Sequence, residues 1–136
     1  MAYLKPPAFL SRIANPLAMR FGASRVATLV VPGRRTGRPT RVPLLPLDFE
    51  GARYLVSARG ETEWVRNLRR AGGGELRIGG GSRRFTAEEL PVAERPPVLA
   101  AYQKAAGWTV SALFRQLPDP KDHPVFKLSE PSGAAA

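Results

Sequence analysis

Between residues 26 and 49 the chain reads VATLVVP, then GRRTGRPTR, then VPLLPLDF, and this stretch restricts the fold more than any other. Residues 26–32 are rich in β-branched side chains and almost continuously apolar, the pattern of a strand buried on both faces. Two glycines and a proline in residues 33–41 supply a hairpin connection or a wide turn. A second strand is predicted over 40–49. Pro43 and Pro46 mark it as an edge, a bulge or an irregular ligand-facing strand, because proline cannot donate to a ladder.

The rest of the chain continues in short pieces. After a turn at Glu50-Gly51-Ala52, RYLVSA at 53–58 reads as a third strand. TEWVRNLRR at 62–70 places Trp64, Val65 and Leu68 at helical spacing, with Thr62 as its cap and Gly72 to Gly74 as its stop. ELRIG at 75–79 and SRRFTAEEL at 82–90 make a hairpin, and 91–106 reads as a helix with Pro96 and Pro97 near its start. Residues 107–117 are ambiguous, PVFKL at 124–128 reads as a last strand, and residues 8–21 read as a helix interrupted or re-started near Pro16. Short antiparallel strands with helices between them suit a mainly β (α+β) fold, a closed or split β-barrel, far better than a doubly wound sheet. The expected organisation is an N-terminal helical segment over 1–25, a single barrel domain over 26–128, and a disordered tail over 129–136.

Composition narrows the chemistry. With no cysteine and only His123, the 136 residues hold no disulfide, thiolate metal site or two-histidine metal site. On its isolation, His123 reads as a loop or strand-start histidine. Carboxylates are scattered, with no pair at a spacing that suits acid–base work. The net charge of +10 and pI near 11.2 favour an anionic partner. No stretch approaches the roughly 20 apolar residues of a spanning helix, which predicts a cytoplasmic protein. Phe9, Leu10, Ile13, Leu17 and Phe21 fall near helical spacing, a pattern that suits packing on the domain and also peripheral contact with a membrane.

Two stretches gather groups that hold ligands. In residues 33–41 the guanidinium groups of Arg34, Arg35, Arg38 and Arg41 and the Thr36 hydroxyl suit a phosphate, and Gly37 allows backbone N–H groups to approach closely. A solvated basic hairpin tip accounts for the same residues. Nucleic acid is not the expected partner, since the recognised helical and single-strand-binding motifs are missing. In the second stretch, Ser57, Ala58, Arg59 and Gly60 lead into a helix carrying Trp64 and Asn67, so that backbone N–H groups and Arg59 lie beside a barrel mouth. Such a protein is poorly equipped for hydrolysis. It suits a cofactor that carries the hydride and needs only binding and orientation.

The runs LVVPGRRTGRPTRVPLLPL, RYLVSARGETEWVRNLR and HPVFKL, in that order over roughly residues 26–128, resemble the deazaflavin-dependent nitroreductase and quinone reductase family of actinobacteria. The resemblance implies a split β-barrel binding coenzyme F420, a deazaflavin whose side chain ends in phosphate, lactate and oligoglutamate. Phosphate and tail then fall to Arg34, Arg35, Thr36 and Gly37, with Arg38 and Arg41 nearby. The ring lies against Pro43 and Leu44, with Leu45 beside them, and Ser57, Ala58, Arg59, Gly60, Trp64 and Asn67 complete the cofactor site. Two departures stand out: the loop from Gly60 to Trp64 is shorter than in the nitroreductase, and its tyrosine-rich substrate wall is absent from 107–117, which offers Trp108 and Phe114 as a mobile lid over the acceptor.

The implied activity is hydride transfer from reduced deazaflavin to a small apolar, electron-poor acceptor such as a quinone, nitro compound or activated alkene, with no catalytic side chain and no metal. A coenzyme carrier and a flavin mononucleotide (FMN) protein are the alternatives. Both monomer and homodimer are compatible with the sequence.

Overall fold

Ala27, Leu29 and Val31 point into the core, while Thr28 and Val30 on the opposite face are half-buried, so the first strand has one fully buried side. The computed structural model describes residues 26–130. Its elements are β1 (Ala27–Pro32), β2 (Pro39–Leu44), β3 (Leu47–Phe49), β4 (Ala52–Val56), α1 (Glu63–Ala71), β5 (Gly73–Ile78), β6 (Gly81–Glu89), α2 (Pro96–Ala106), α3 (Trp108–Gln116) and β7 (Val125–Ser129), with 3-10 turns at Val92–Glu94 and Pro120–Asp122. The strands form one curled antiparallel sheet in the order β2-β1-β5-β6-β7-β4-β3, the half-barrel that the strand pattern predicts.

The single strand predicted over 40–49 is instead two, and they lie at opposite edges of the sheet. Pro46 has no N–H to continue the ladder, and the chain leaves β1 after Leu44 to cross to β4. Pro39 and Pro43 are tolerated because β2 pairs only with β1. Two further boundaries differ from expectation. Residues 91–106 split into a 3-10 turn and α2, which starts on Pro96 and Pro97 where missing N–H groups cost nothing. The ambiguous segment is helix α3, set off from α2 by Gly107 at φ 90°. The helix predicted over 8–21 and the end of the predicted tail, 131–136, lie outside the described residues; Ser129 closes β7.

Two apolar clusters flank the sheet. Leu29, Leu55, Leu76, Phe85 and Phe126 fill the inside of the curl, where Val65 and Leu68 of α1 seal it. Leu47, Val56, Leu99, Val110 and Phe114 pack the other cluster, between the sheet and α2 and α3. Arg69 fastens α1 to the sheet with contacts of 2.8 Å to Glu61 and 2.7 Å to Glu89. No helix among the described residues is long and apolar enough to cross a membrane.

Only Gly72 stops α1, in the left-handed region at φ 74°, where its N–H donates to the Leu68 carbonyl at 2.8 Å. Gly73 and Gly74 belong to β5 and serve close approach: a Cβ at Gly73 would lie 2.4 Å from the Phe85 carbonyl oxygen, and one at Gly74 2.7 Å from that of Val30. Gly73→Ala is therefore expected to destabilise the fold by about 1–3 kcal/mol, as overpacking does. Gly80→Ala is the control, since a Cβ there meets nothing within 4 Å. Equal urea midpoints for the two variants would show that the β5–β6 pair yields without cost.

Candidate cofactor site

The β1–β2 turn closes on itself through Gly33 N–H to the Arg38 carbonyl and Gly37 N–H to the Gly33 carbonyl, both at 2.8 Å. Gly37 sits at φ 76°, and Arg38 N–H donates to the Thr36 hydroxyl oxygen at 3.1 Å. The four arginines are not equivalent. Arg34 turns back to α1: its backbone N–H and Nη1 donate to Asn67 Oδ1 at 3.1 and 2.9 Å, and Nη1 meets Glu63 Oε1 at 2.9 Å. This contact holds the Glu63 carboxyl below the usual carboxylate range. Arg34 and the buried Asn67 thus lock the turn to the helix, while Arg35, Arg38 and Arg41 stay exposed.

At the other end of β2, separated sequence stretches converge on one cleft of about 80 Å³, room for the edge of a planar ring. Pro43, Leu44 and Leu45 supply one wall; Ser57, Ala58 and Arg59 follow the end of β4; Trp64 enters from the first turn of α1. Gly60 lies beneath, its carbonyl accepting a 2.6 Å hydrogen bond from Ser57 Oγ. Trp64 and Asn67, three residues apart, share a helix face, so α1 runs from the cleft to the turn. From Thr40 to Leu44 is four strand rises, about 13 Å.

The opposite wall differs from the one expected. Trp108 is 78% exposed, and Phe114 is withdrawn into the core, stacked on His123 with ring centroids 3.9 Å apart. Apolar periodicity turns Val110 and Leu113 of α3 toward the cleft instead. Tyr102 of α2, outside that segment, also lines the cleft, and burial pushes its phenol up to about 12, opposed by the nearby Arg59 guanidinium. Sequence spacing had no means of finding Tyr102, which sits within an otherwise ordinary helix.

His123 and Thr62 are the other two residues whose importance was hidden. His123 is fully buried, with Nδ1 2.8 Å from the Ser57 carbonyl oxygen and Nε2 2.5 Å from that of Leu117. It therefore ties the strand end at the cleft to the end of α3. Thr62 occupies the predicted N-cap position of α1, but its side chain makes no cap hydrogen bond. It lines the cleft instead.

Among the described residues, a curled antiparallel half-barrel thus carries a basic turn at one end of β2 and a largely apolar cleft at the other. The chain belongs to the F420H(2)-dependent quinone reductase family, whose model matches residues 8–112, and is thereby an oxidoreductase of the deazaflavin-dependent kind. No curated protein matches it. Among solved structures it is similar to an F420-H2 dependent reductase at 21% identity and TM-score 0.58, over 76% of this chain and 93% of that one. It is also similar to a conserved hypothetical protein from Mycobacterium tuberculosis, at 16% identity and TM-score 0.58 over 95% and 82% of the two chains. A protein of unknown function from Agrobacterium tumefaciens aligns at 19% identity and TM-score 0.61, over 96% of this chain and 57% of that one.

Proposed function

We propose that the protein binds reduced coenzyme F420 with a ring edge in the cleft and the phosphate-bearing tail on the β1–β2 turn, and reduces an apolar, electron-poor acceptor such as a quinone, nitro compound or activated alkene. The observation that carries this reading is the convergence of Pro43-Leu44-Leu45, Ser57-Ala58-Arg59 and Trp64 on one cleft. A ligand laid from there along α1 reaches the exposed Arg35 and Arg38, which suit a phosphate. The residues fit a ring system: apolar walls for its faces, and the buried Arg59 and Thr62 for its polar edge.

When bound, the coenzyme supplies the hydride. The chain's contribution is orientation. Pro43 to Leu45 fix one side, while Val110 and Leu113 keep water from the other and leave an apolar surface for the acceptor. Holding donor and acceptor carbons about 3–3.5 Å apart accounts for most of the acceleration expected of such a site.

Fluorescence titration with the deazaflavin, in competition with FMN, tests the reading. Binding at micromolar concentration or tighter, not displaced by equimolar FMN, is expected. No binding at that concentration would sink it, and preferential FMN binding would favour an ordinary flavin protein. Tight binding without turnover on quinone, nitro or alkene acceptors would make the protein a coenzyme carrier.

A further inference from the structure

Thr62 is a buried polar residue whose hydroxyl has no hydrogen-bond partner among the described residues, although it stands at the position where threonine ordinarily caps a helix. A buried orphan hydroxyl costs stability. It lines the same cleft as Arg59, and both residues are more than nine-tenths buried, at 7% and 6% exposed. Behind it, the first-turn amides of the nine-residue α1 have no acceptor within their own helix. The one carboxylate in that turn, Glu63, is drawn off to Arg34. Guanidinium, hydroxyl and helix N-terminus together favour a partly negative oxygen.

We propose that Thr62, Arg59 and the first turn of α1 form a pocket for a carbonyl-type oxygen on the edge of a planar ring, with the Thr62 hydroxyl as the donor that selects it. This rests on the reading of the cleft as a ring site. The oxygen belongs either to the bound coenzyme or to the acceptor, since both carry conjugated carbonyl or nitro oxygens. A turn about χ1, which exchanges the hydroxyl with the similarly sized methyl, presents the donor to the ligand. Thr62 is thus a binding residue whose side chain is satisfied only in the complex.

The test compares the wild type with Thr62→Val and Thr62→Ser, using three probes: the deazaflavin, FMN and a soluble naphthoquinone, the last read by quenching of Trp64, which lines the cleft. Thr62→Val preserves shape and removes only the hydroxyl. Its Tm is expected at or above that of the wild type, because no internal hydrogen bond is lost. Affinity for one probe is expected to fall roughly three- to tenfold, the worth of one neutral hydrogen bond, and Thr62→Ser is expected to retain it.

A loss confined to the coenzyme assigns the oxygen to the coenzyme, and a loss confined to the naphthoquinone assigns it to the acceptor. A lower Tm for Thr62→Val, or unchanged affinity for all three probes, overturns the proposal. If the wild type binds no deazaflavin but Thr62→Val weakens naphthoquinone or FMN binding, the coenzyme assignment above fails and the pocket stands. A wild type that binds none of the three overturns both.

Discussion

Replacing His123 with alanine is expected to lower the unfolding free energy by about 2–4 kcal/mol, combining the cavity left by a buried ring with the loss of its N–H hydrogen bond to a flanking carbonyl. The ring is fully enclosed, stacked on Phe114, and placed between the carbonyls of Ser57 and Leu117. His123→Phe separates the two contributions. It restores the volume and the stacking but supplies no N–H to either carbonyl, so the hydrogen-bond part of the loss, about 1–3 kcal/mol, is expected to remain. Chemical denaturation read by circular dichroism checks both variants, and a phenylalanine variant as stable as the wild type would reduce His123 to a space-filler. Ligand affinity is expected to fall with stability in both, because the carbonyls concerned anchor Ser57 at the cleft and the end of the helix carrying Val110 and Leu113.

His123 also marks how far the sequence can be read. Strands announced by β-branched runs and ended by glycine or proline were legible: β1, β4, the β5–β6 hairpin and β7 lie within a residue or two of their predicted spans. The cleft's near wall was legible as well, since Pro43-Leu44-Leu45 and Ser57-Ala58-Arg59 are contiguous pieces whose meaning comes from family resemblance. What stayed hidden depends on contacts distant in sequence. That Pro46 sends the chain across the sheet follows from which edge is free, which periodicity does not encode. Tyr102 replaces the expected Phe114 because α3 packs with Phe114 inward, a choice fixed by His123 nine residues on. Thr62 carried a correct position and a wrong role: the capping rule finds the helix start, but only the tertiary structure reveals that the hydroxyl forgoes the cap.

The turn presents the other large expected effect. Replacing Arg35 and Arg38 together with alanine is expected to weaken coenzyme binding on the order of 10- to 100-fold, since hydrogen bonds to charged groups contribute about 1.5–3 kcal/mol. Both side chains are exposed and the turn's own hydrogen bonds run through backbone groups and Thr36, so the fold loses nothing measurable. Arg34→Ala separates positioning from direct contact. Its guanidinium is held by Glu63 and Asn67, so its removal loosens the turn's hold on α1, leaving only the backbone N–H bond to Asn67, rather than taking a donor from the tail. The double variant is therefore expected to lose its discrimination between the full coenzyme and a fragment lacking phosphate. Arg34→Ala is expected to bind the full coenzyme more weakly yet still prefer it. Salt gives a second readout: exposed arginine–phosphate contacts weaken with ionic strength, so coenzyme binding by Arg34→Ala, which keeps Arg35 and Arg38, is expected to fall more steeply with added salt than binding by the double variant. A double variant that loses equal affinity for coenzyme and fragment would move the phosphate elsewhere and leave the basic turn a solvated hairpin tip.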